Sequence, residues 1–277
     1  MYCGKQKDVS ELRVWLKQFD DDVRIELAFL LLRRLAERGF FTEGAKLNAL
    51  ERLLEALNET RIRLGKKAWI EVRNRKENLC VSYVDSEVKS GAATAREFAK
   101  RARPGKCCHA NEATDWMSSH IARDPILLII DDFAGTGQTL NAGLRDLFQS
   151  LTDHRTKEAY LEQHRILCYL LFAFPKALDL LRKTHPKVQF LAINVLDEEL
   201  LAFESNSNIF DNDHDRNFAR EVMLQIGREL SPQIPLGFGD IGSLICFHNT
   251  IPNNSLPVFW SGGISNNRQW KPLFPRA

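Results

Sequence analysis

The chain has 277 residues, 44% of them apolar and 27% charged, with a formal charge of +2. That length holds one sizeable core with an appendage, and the balance excludes a disordered tail, a fibre and a wholly basic nucleic-acid-binding domain. The longest apolar runs, residues 126–130 and 166–174, fall far short of the ~20 residues of a membrane-spanning helix.

The first five residues lack the apolar core of a secretory signal, so the expected location is the cytoplasm. From Val9 to Leu64 the pattern is helical. Leu12, Trp15, Leu16 and Phe19, then Leu27, Leu30, Leu31 and Leu35, recur at three-to-four spacing. Gly39 ends that stretch. Thr42 reads as the N-cap of a further helix whose Leu47, Leu50, Leu54 and Leu57 share a face before Gly65 closes it. Residues 1–66 are therefore expected to form a helical module.

Beyond Gly65 the texture changes to short β-rich runs separated by helical stretches. Strands are expected at 68–72, 79–84, 126–130, 166–172, 188–195 and 244–248, and helices at 92–102, 138–150, 175–184 and 215–230. This alternation predicts an α/β domain over residues 67–250, built on a mostly parallel sheet flanked by helices. Residues 103–124 show little periodicity and read as a mobile loop. The Pro-, Asn- and Gly-rich residues 251–277 read as a C-terminal extension wrapped on the domain.

Charge is unevenly placed. Residues 67–109 hold ten Lys or Arg against five Asp or Glu, a local excess that suits a phosphorylated small molecule, while residues 1–66 balance thirteen against eleven and argue against a DNA-binding helical module. Nucleic acid is not the expected partner.

The six cysteines sit inside strands or singly and form no disulfide framework. Cys107-Cys108-His109 lacks the spacer of a zinc knuckle, and no metal is assigned to the protein's own side chains. Asp211-Asn212-Asp213-His214-Asp215 has Arg216 where a calcium loop needs glycine, so Asp213 or Asp215 is read as a helix cap. His248, Asn249, Asn253 and Asn254 could hydrogen-bond a nucleobase or satisfy turns, the second being preferred, and Phe259 and Trp260 could stack on a base or belong to the core, the core being preferred.

The chemistry-bearing segment begins at residues 126–130, apolar on both faces as a central parallel strand must be. Asp131 and Asp132 follow at its carboxyl end, where ligands bind in open α/β sheets. Next come Phe133, Ala134, Gly135, Thr136, Gly137, Gln138 and Thr139, two glycines and two hydroxyls just before a helix. Glycine lets successive N–H groups converge and the helix terminus adds positive potential, so a phosphate monoester fits. The two acids can accept hydrogen bonds from ribose hydroxyls. No Gly-Lys-Ser or Gly-Lys-Thr closes the loop, and its glycine spacing is not that of a dinucleotide fold.

A hydrophobic strand, two acids, two residues and a Thr-Gly-X-Thr turn resembles the binding motif of type I phosphoribosyltransferases. The resemblance implies that Asp131 and Asp132 are the catalytic pair gripping the ribose. It implies that Ala134, Gly135, Thr136, Gly137, Gln138 and Thr139 hold the 5-phosphate, with Ala134 and Gly135 departing from the usual pattern. It also implies that the loop after an early strand holds the diphosphate, through Lys89, Ser90 and Gly91. The run from Gly239 to Leu244 and from His248 to Trp260, with the helical N-terminal portion, is similar to a phosphoribosyltransferase-like branch assigned to prokaryotic conflict systems. Membership would imply an effector or sensor in antiviral defence, with a partner protein from the same operon.

Two functions follow from that resemblance. One is an enzyme acting at the anomeric carbon of 5-phosphoribosyl diphosphate, with Mg2+ carried by the diphosphate. The other is a non-catalytic module that senses a phosphorylated ribose or nucleotide and signals to a partner. Gly137→Ala is expected to weaken the ligand and leave thermal stability nearly unchanged.

Overall fold

The structure, a computed structural model, describes residues 2–4, 7–63, 69–151, 160–162 and 165–276. It runs α1 (Val9–Leu16), α2 (Asp22–Arg34), a π-helical turn (Leu35–Gly39), β1 (Phe40–Phe41), α3 (Glu43–Glu59), β2 (Arg61–Arg63), β3 (Trp69–Glu71) and a 3-10 stretch (Val72–Asn78). There follow β4 (Leu79–Tyr83), α4 (Ser90–Ala102), β5 (Lys106–His109), α5 (Ala110–Ser119), β6 (Ile126–Ala134), α6 (Gln138–Ser150), β7 (Ile166–Ala173), α7 (Pro175–Thr184) and β8 (Gln189–Val195). The chain ends with α8 (Asp213–Leu230), β9 (Cys246–Phe247), α9 (Pro257–Trp260), β10 (Gly263–Ser265) and β11 (Arg268–Trp270). No described helix is long and apolar enough to cross a membrane.

Two compact units result, one of Met1–Lys46 with Asp197–Ala277 and one of Leu47–Leu196. The expected three segments are redrawn, because the N-terminal helices do not close a core of their own. The apolar stripe of α1 and α2, including Trp15, Phe19, Leu27, Leu31 and Leu35, shares one core with Met223, Ile226, Val258, Phe259, Trp270 and Phe274. Trp15 is 1% exposed, stacks on Phe259 at 5.3 Å and donates its indole N–H to the Val258 carbonyl at 2.9 Å. Truncating such a side chain costs ~3–5 kcal/mol.

The expected strand at 244–248 also belongs here. It shortens to β9 and pairs in parallel with β1, outside the main sheet. Gly39 makes this possible, since a Cβ on it would lie 1.7 Å from the Leu244 carbonyl oxygen. Thr42 acts as read, accepting the Ala45 N–H at 3.2 Å. The cap of α8 is Asn212, which accepts the Asp215 N–H at 2.9 Å, and not Asp213 or Asp215. Phe259 is buried, Trp260 is half-buried, and Asn254 donates to the Phe238 carbonyl at 2.9 Å in a turn.

The second unit is the α/β domain. Its sheet has five parallel strands in the order β5-β4-β6-β7-β8. The central β6 and β7 are apolar on both faces because both faces are covered. On one face Cys80, Leu127, Ile129, Cys168 and Leu170 meet Ala113 and Met117 of α5, Leu140 and Leu144 of α6, and Leu178 and Leu181 of α7. On the other, α4 packs on β4 and β6, and the Tyr169 hydroxyl meets that of Thr60 just after α3. The open edge of β8 is guarded by Arg52, which donates to the Ile193 carbonyl at 3.3 Å.

Two sequence expectations change within this unit. Residues 103–124 are not a mobile loop but carry the edge strand β5 and the helix α5. The mixed run Lys106-Cys107-Cys108-His109 hides the strand, because an edge strand buries only part of each residue. The strand expected at 68–72 exists as β3, yet it pairs antiparallel with β2 in a separate ribbon. The expected helix end at Gly65, the boundary at 66/67, Lys67 and the strand start at Ala68 lie outside the described residues.

Candidate functional site

From β4 the chain steps outward to β5 and then returns to the other side of β4 as β6, so the strand order reverses between β4 and β6. At such a switch point the loops leaving the carboxyl ends diverge and open a crevice. The β4–β6 ladder ends at Ser82 with Ile129, while β6 continues beside β7 to Ala134 with Ala173. Asp131 and Asp132 therefore lie beyond the last rung shared with β4.

The two acids are held by each other and by the start of α4. The Asp132 N–H donates to Asp131 Oδ1 at 2.8 Å, and the Ser90 hydroxyl donates to Asp132 Oδ1 at 3.0 Å. A Cβ on Gly91 would stand 2.7 Å from Asp131 Oδ1, so the close approach of α4 to this carboxyl requires glycine there. Asp132 is buried and Asp131 half-buried. Burial of its carboxyl pushes the Asp131 pKa well above the usual carboxylate range, and the neighbouring charges of Asp132 and Asp85 add to the shift. Two acids crowded where β6 runs past the β4 ladder, one resisting ionisation, form a place that a cation or hydroxyl donors would relieve.

The phosphate-type loop follows directly. Gly135, Thr136 and Gly137 connect Ala134 at the end of β6 to Gln138 at the start of α6. Gly137 takes the N-cap position with φ +75°, and a Cβ on it would lie 3.0 Å from the Ala177 carbonyl oxygen. Thr136 Oγ1 accepts the Gln138 N–H at 3.3 Å. Gln138 and Thr139 are exposed on the first turn, whereas Ala134, Gly135 and Gly137 are buried. Gly143 lets α6 close on Val84, whose Cβ would be 2.5 Å from a Cβ there, and this brings the two loops to one edge.

Of the three residues expected to hold a diphosphate, Ser90 and Gly91 face the acid pair. Lys89 occupies the N-cap position of α4, and its ammonium is held by Asp85 at 2.8 Å. Sequence reasoning missed Asp85, although its spacing four residues before Lys89 is a readable signal. It also missed Arg96, which reaches back from α4 to Glu87 at 3.4 Å and donates to the Tyr83 hydroxyl at 3.3 Å. Tyr83 in turn meets His109 edge to face at 5.5 Å. His109 caps α5 through Nδ1. Cys108 lies 3.7 Å from Cys80, sulfur to sulfur, and among the described residues no group of three or more His, Cys, Asp or Glu is placed to hold a metal.

Comparison with known proteins adds three findings. The profile of the PRTase-CE family matches residues 12–276. A search of curated proteins gives no match. Among solved structures, the AQ2163 protein from Aquifex aeolicus aligns at 13% identity and a TM-score of 0.30, over 69% of this chain and 86% of that one.

Proposed function

The chain belongs to the PRTase-CE family, a phosphoribosyltransferase-like family, and on that premise we propose that it binds 5-phosphoribosyl diphosphate or a related ribose phosphate or nucleotide at the β4–β6 switch point, as an effector in prokaryotic defence. The observation that carries the reading is the pairing of Asp131 and Asp132 with a Gly135–Gly137 turn opening α6, all at the carboxyl edge of one buried strand.

In this reading the carboxylates of Asp131 and Asp132 accept hydrogen bonds from the ribose 2- and 3-hydroxyls. The N–H groups at the start of α6, with the hydroxyls of Thr136 and Thr139, hold the 5-phosphate. Ser90, Gly91 and Lys89 meet the diphosphate, with Lys89 exchanging Asp85 for the ligand. The site fits a divalent cation in charge, since two adjacent acids with a raised Asp131 gain from one. Mg2+ brought by the diphosphate would neutralise the leaving group. Preorganised groups of the chain would stabilise an oxocarbenium-like ribosyl centre.

A second reading is a sensing module without turnover: Ala134, Gly135, Thr136 and Gly137 of the phosphate loop offer no titratable side chain, but ribosyl transfer does not strictly need one, so the loop is compatible with both. One experiment addresses both readings. Purified protein is titrated calorimetrically with 5-phosphoribosyl diphosphate and Mg2+, and diphosphate release is followed with several nucleobases. Binding with release supports the enzyme, binding alone supports the sensor, and no binding removes the proposal.

A further inference from the structure

The loop between β4 and α4 is lightly packed for a part of the proposed site. β4 ends at Tyr83 and α4 begins at Ser90, so residues 84–89 belong to neither element. Val84 and Asp85 are half-buried and residues 86–89 are exposed. Past Val84 the loop's one apolar side chain, Val88, is 94% exposed and pins nothing. The loop's shape therefore rests on polar ties. The Lys89 N–H closes a turn on the Ser86 carbonyl at 3.0 Å, and the Lys89 ammonium is held by Asp85 at 2.8 Å. Both ties lie within the loop, so neither fixes it to the rest of the domain. Arg96 of α4 supplies a tie that does. Its guanidinium lies over the Tyr83 ring at 5.5 Å and donates to the Tyr83 hydroxyl at 3.3 Å and to the Glu87 carbonyl at 3.2 Å. It also pairs with the Glu87 carboxylate at 3.4 Å.

A guanidinium suits this task because its planar fork presents donors in fixed directions and so serves a ring, a hydroxyl, a carbonyl and a carboxylate at once. An ammonium, a single point charge, does not. Resting on the ribose-phosphate reading above, we propose that Arg96 is a positioning residue that latches the 84–89 loop to the end of β4 in the shape that receives a diphosphate. Both terminal nitrogens of Arg96 are engaged by the chain itself, which leaves the phosphates to Lys89 and the start of α4. What the latch supplies is preorganisation, since apparent affinity scales with the fraction of loops already in the receptive shape. Only a ligand that reaches Lys89 depends on that fraction. A monophosphate held at the start of α6 does not.

Two measurements on the full chain test this. Cleavage after Glu87 by a glutamate-specific protease, without ligand, reads the open population of the loop. Calorimetry with 5-phosphoribosyl diphosphate and Mg2+, and separately with ribose 5-phosphate, reads the consequence. Arg96→Met and Arg96→Lys should both speed cleavage after Glu87 roughly three- to twenty-fold, as for loss of a half-exposed charged hydrogen bond. Cleavage at other glutamates should keep its wild-type rate, which separates a loosened loop from a loosened fold. Both variants should weaken the diphosphate ligand by no more than the rise in cleavage and leave ribose 5-phosphate unchanged. Wild-type cleavage rates in both variants would overturn the proposal. So would full diphosphate affinity in Arg96→Lys with a loss in Arg96→Met, or an affinity loss larger than the rise in cleavage, because either puts the Arg96 charge on the ligand itself. Equal losses for the two ligands would overturn it as well. Wild-type protein that binds neither ligand removes the reading on which the proposal rests, and the proposal with it, whatever the cleavage pattern.

Discussion

Asp131→Asn separates stability from function by driving them in opposite directions. The wild-type carboxyl is held above its ordinary value near 3.8 by burial first, then by Asp132 and Asp85. The folded chain therefore holds this proton more tightly than the unfolded chain. Between the ordinary and the raised value the folded state binds more protons, so stability falls as pH rises, by up to about 1.4 kcal/mol per pH unit. Above the raised value the full cost of the buried charge is present. Asparagine removes that cost but keeps the shape, since its Oδ1 can still accept the Asp132 N–H now bonded at 2.8 Å. The ligand-free variant should thus melt higher than wild type at neutral pH, by roughly 2–4 °C for each kcal/mol recovered. The two should converge as pH falls toward 4. Thermal melts by circular dichroism from pH 4 to 8, without ligand, measure the difference. A variant that melts lower at pH 7.5, or a gap that does not change with pH, would refute the reasoning.

Replacing both acids, Asp131→Asn with Asp132→Asn, should abolish calorimetric binding of 5-phosphoribosyl diphosphate with Mg2+ in a folded protein. Wild-type affinity would place the ligand elsewhere. Gly137→Ala should lose affinity by roughly ten- to a thousand-fold, as one or two charge-assisted hydrogen bonds are broken. The structure revises its expected effect on stability. With φ +75° and the Ala177 carbonyl 3.0 Å from a new Cβ, the variant should be about 1–2 kcal/mol less stable in urea unfolding, and an unchanged midpoint would contradict this geometry. Lys89→Ala should weaken a diphosphate ligand more than a monophosphate, and only modestly because Asp85 already holds the ammonium at 2.8 Å. Equal losses in paired titrations would remove Lys89 from the site.

Much of the site is legible in the chain because its signals are local. The run 126–130 must be buried on both faces, and the two acids follow it inside β6, which runs on to Ala134, in the part beyond the last rung shared with β4. Glycines 135 and 137 stand before an amphipathic helix, and α6 begins at Gln138 as that spacing requires. The helices over 92–102, 138–150 and 175–184 appear almost to the residue, since their apolar periodicity needs no partner to be read.

What the tertiary structure decided depends on partners distant in sequence. β5 is invisible in Lys106-Cys107-Cys108-His109 because an edge strand needs only half its residues buried. Without it the strand order has no reversal, and the crevice between β4 and β6 cannot be located. The N-terminal helices carry an unmistakable apolar stripe, yet nothing in residues 1–66 says that Val258, Phe259, Trp270 and Phe274 complete their core. The raised pKa of Asp131 comes first from burial, then from Asp132 and Asp85, and the burial exists only once the chain has folded. Residue types and spacing fix which groups are chemically competent. Burial and electrostatics, which sum over neighbours hundreds of positions apart, fix what those groups do.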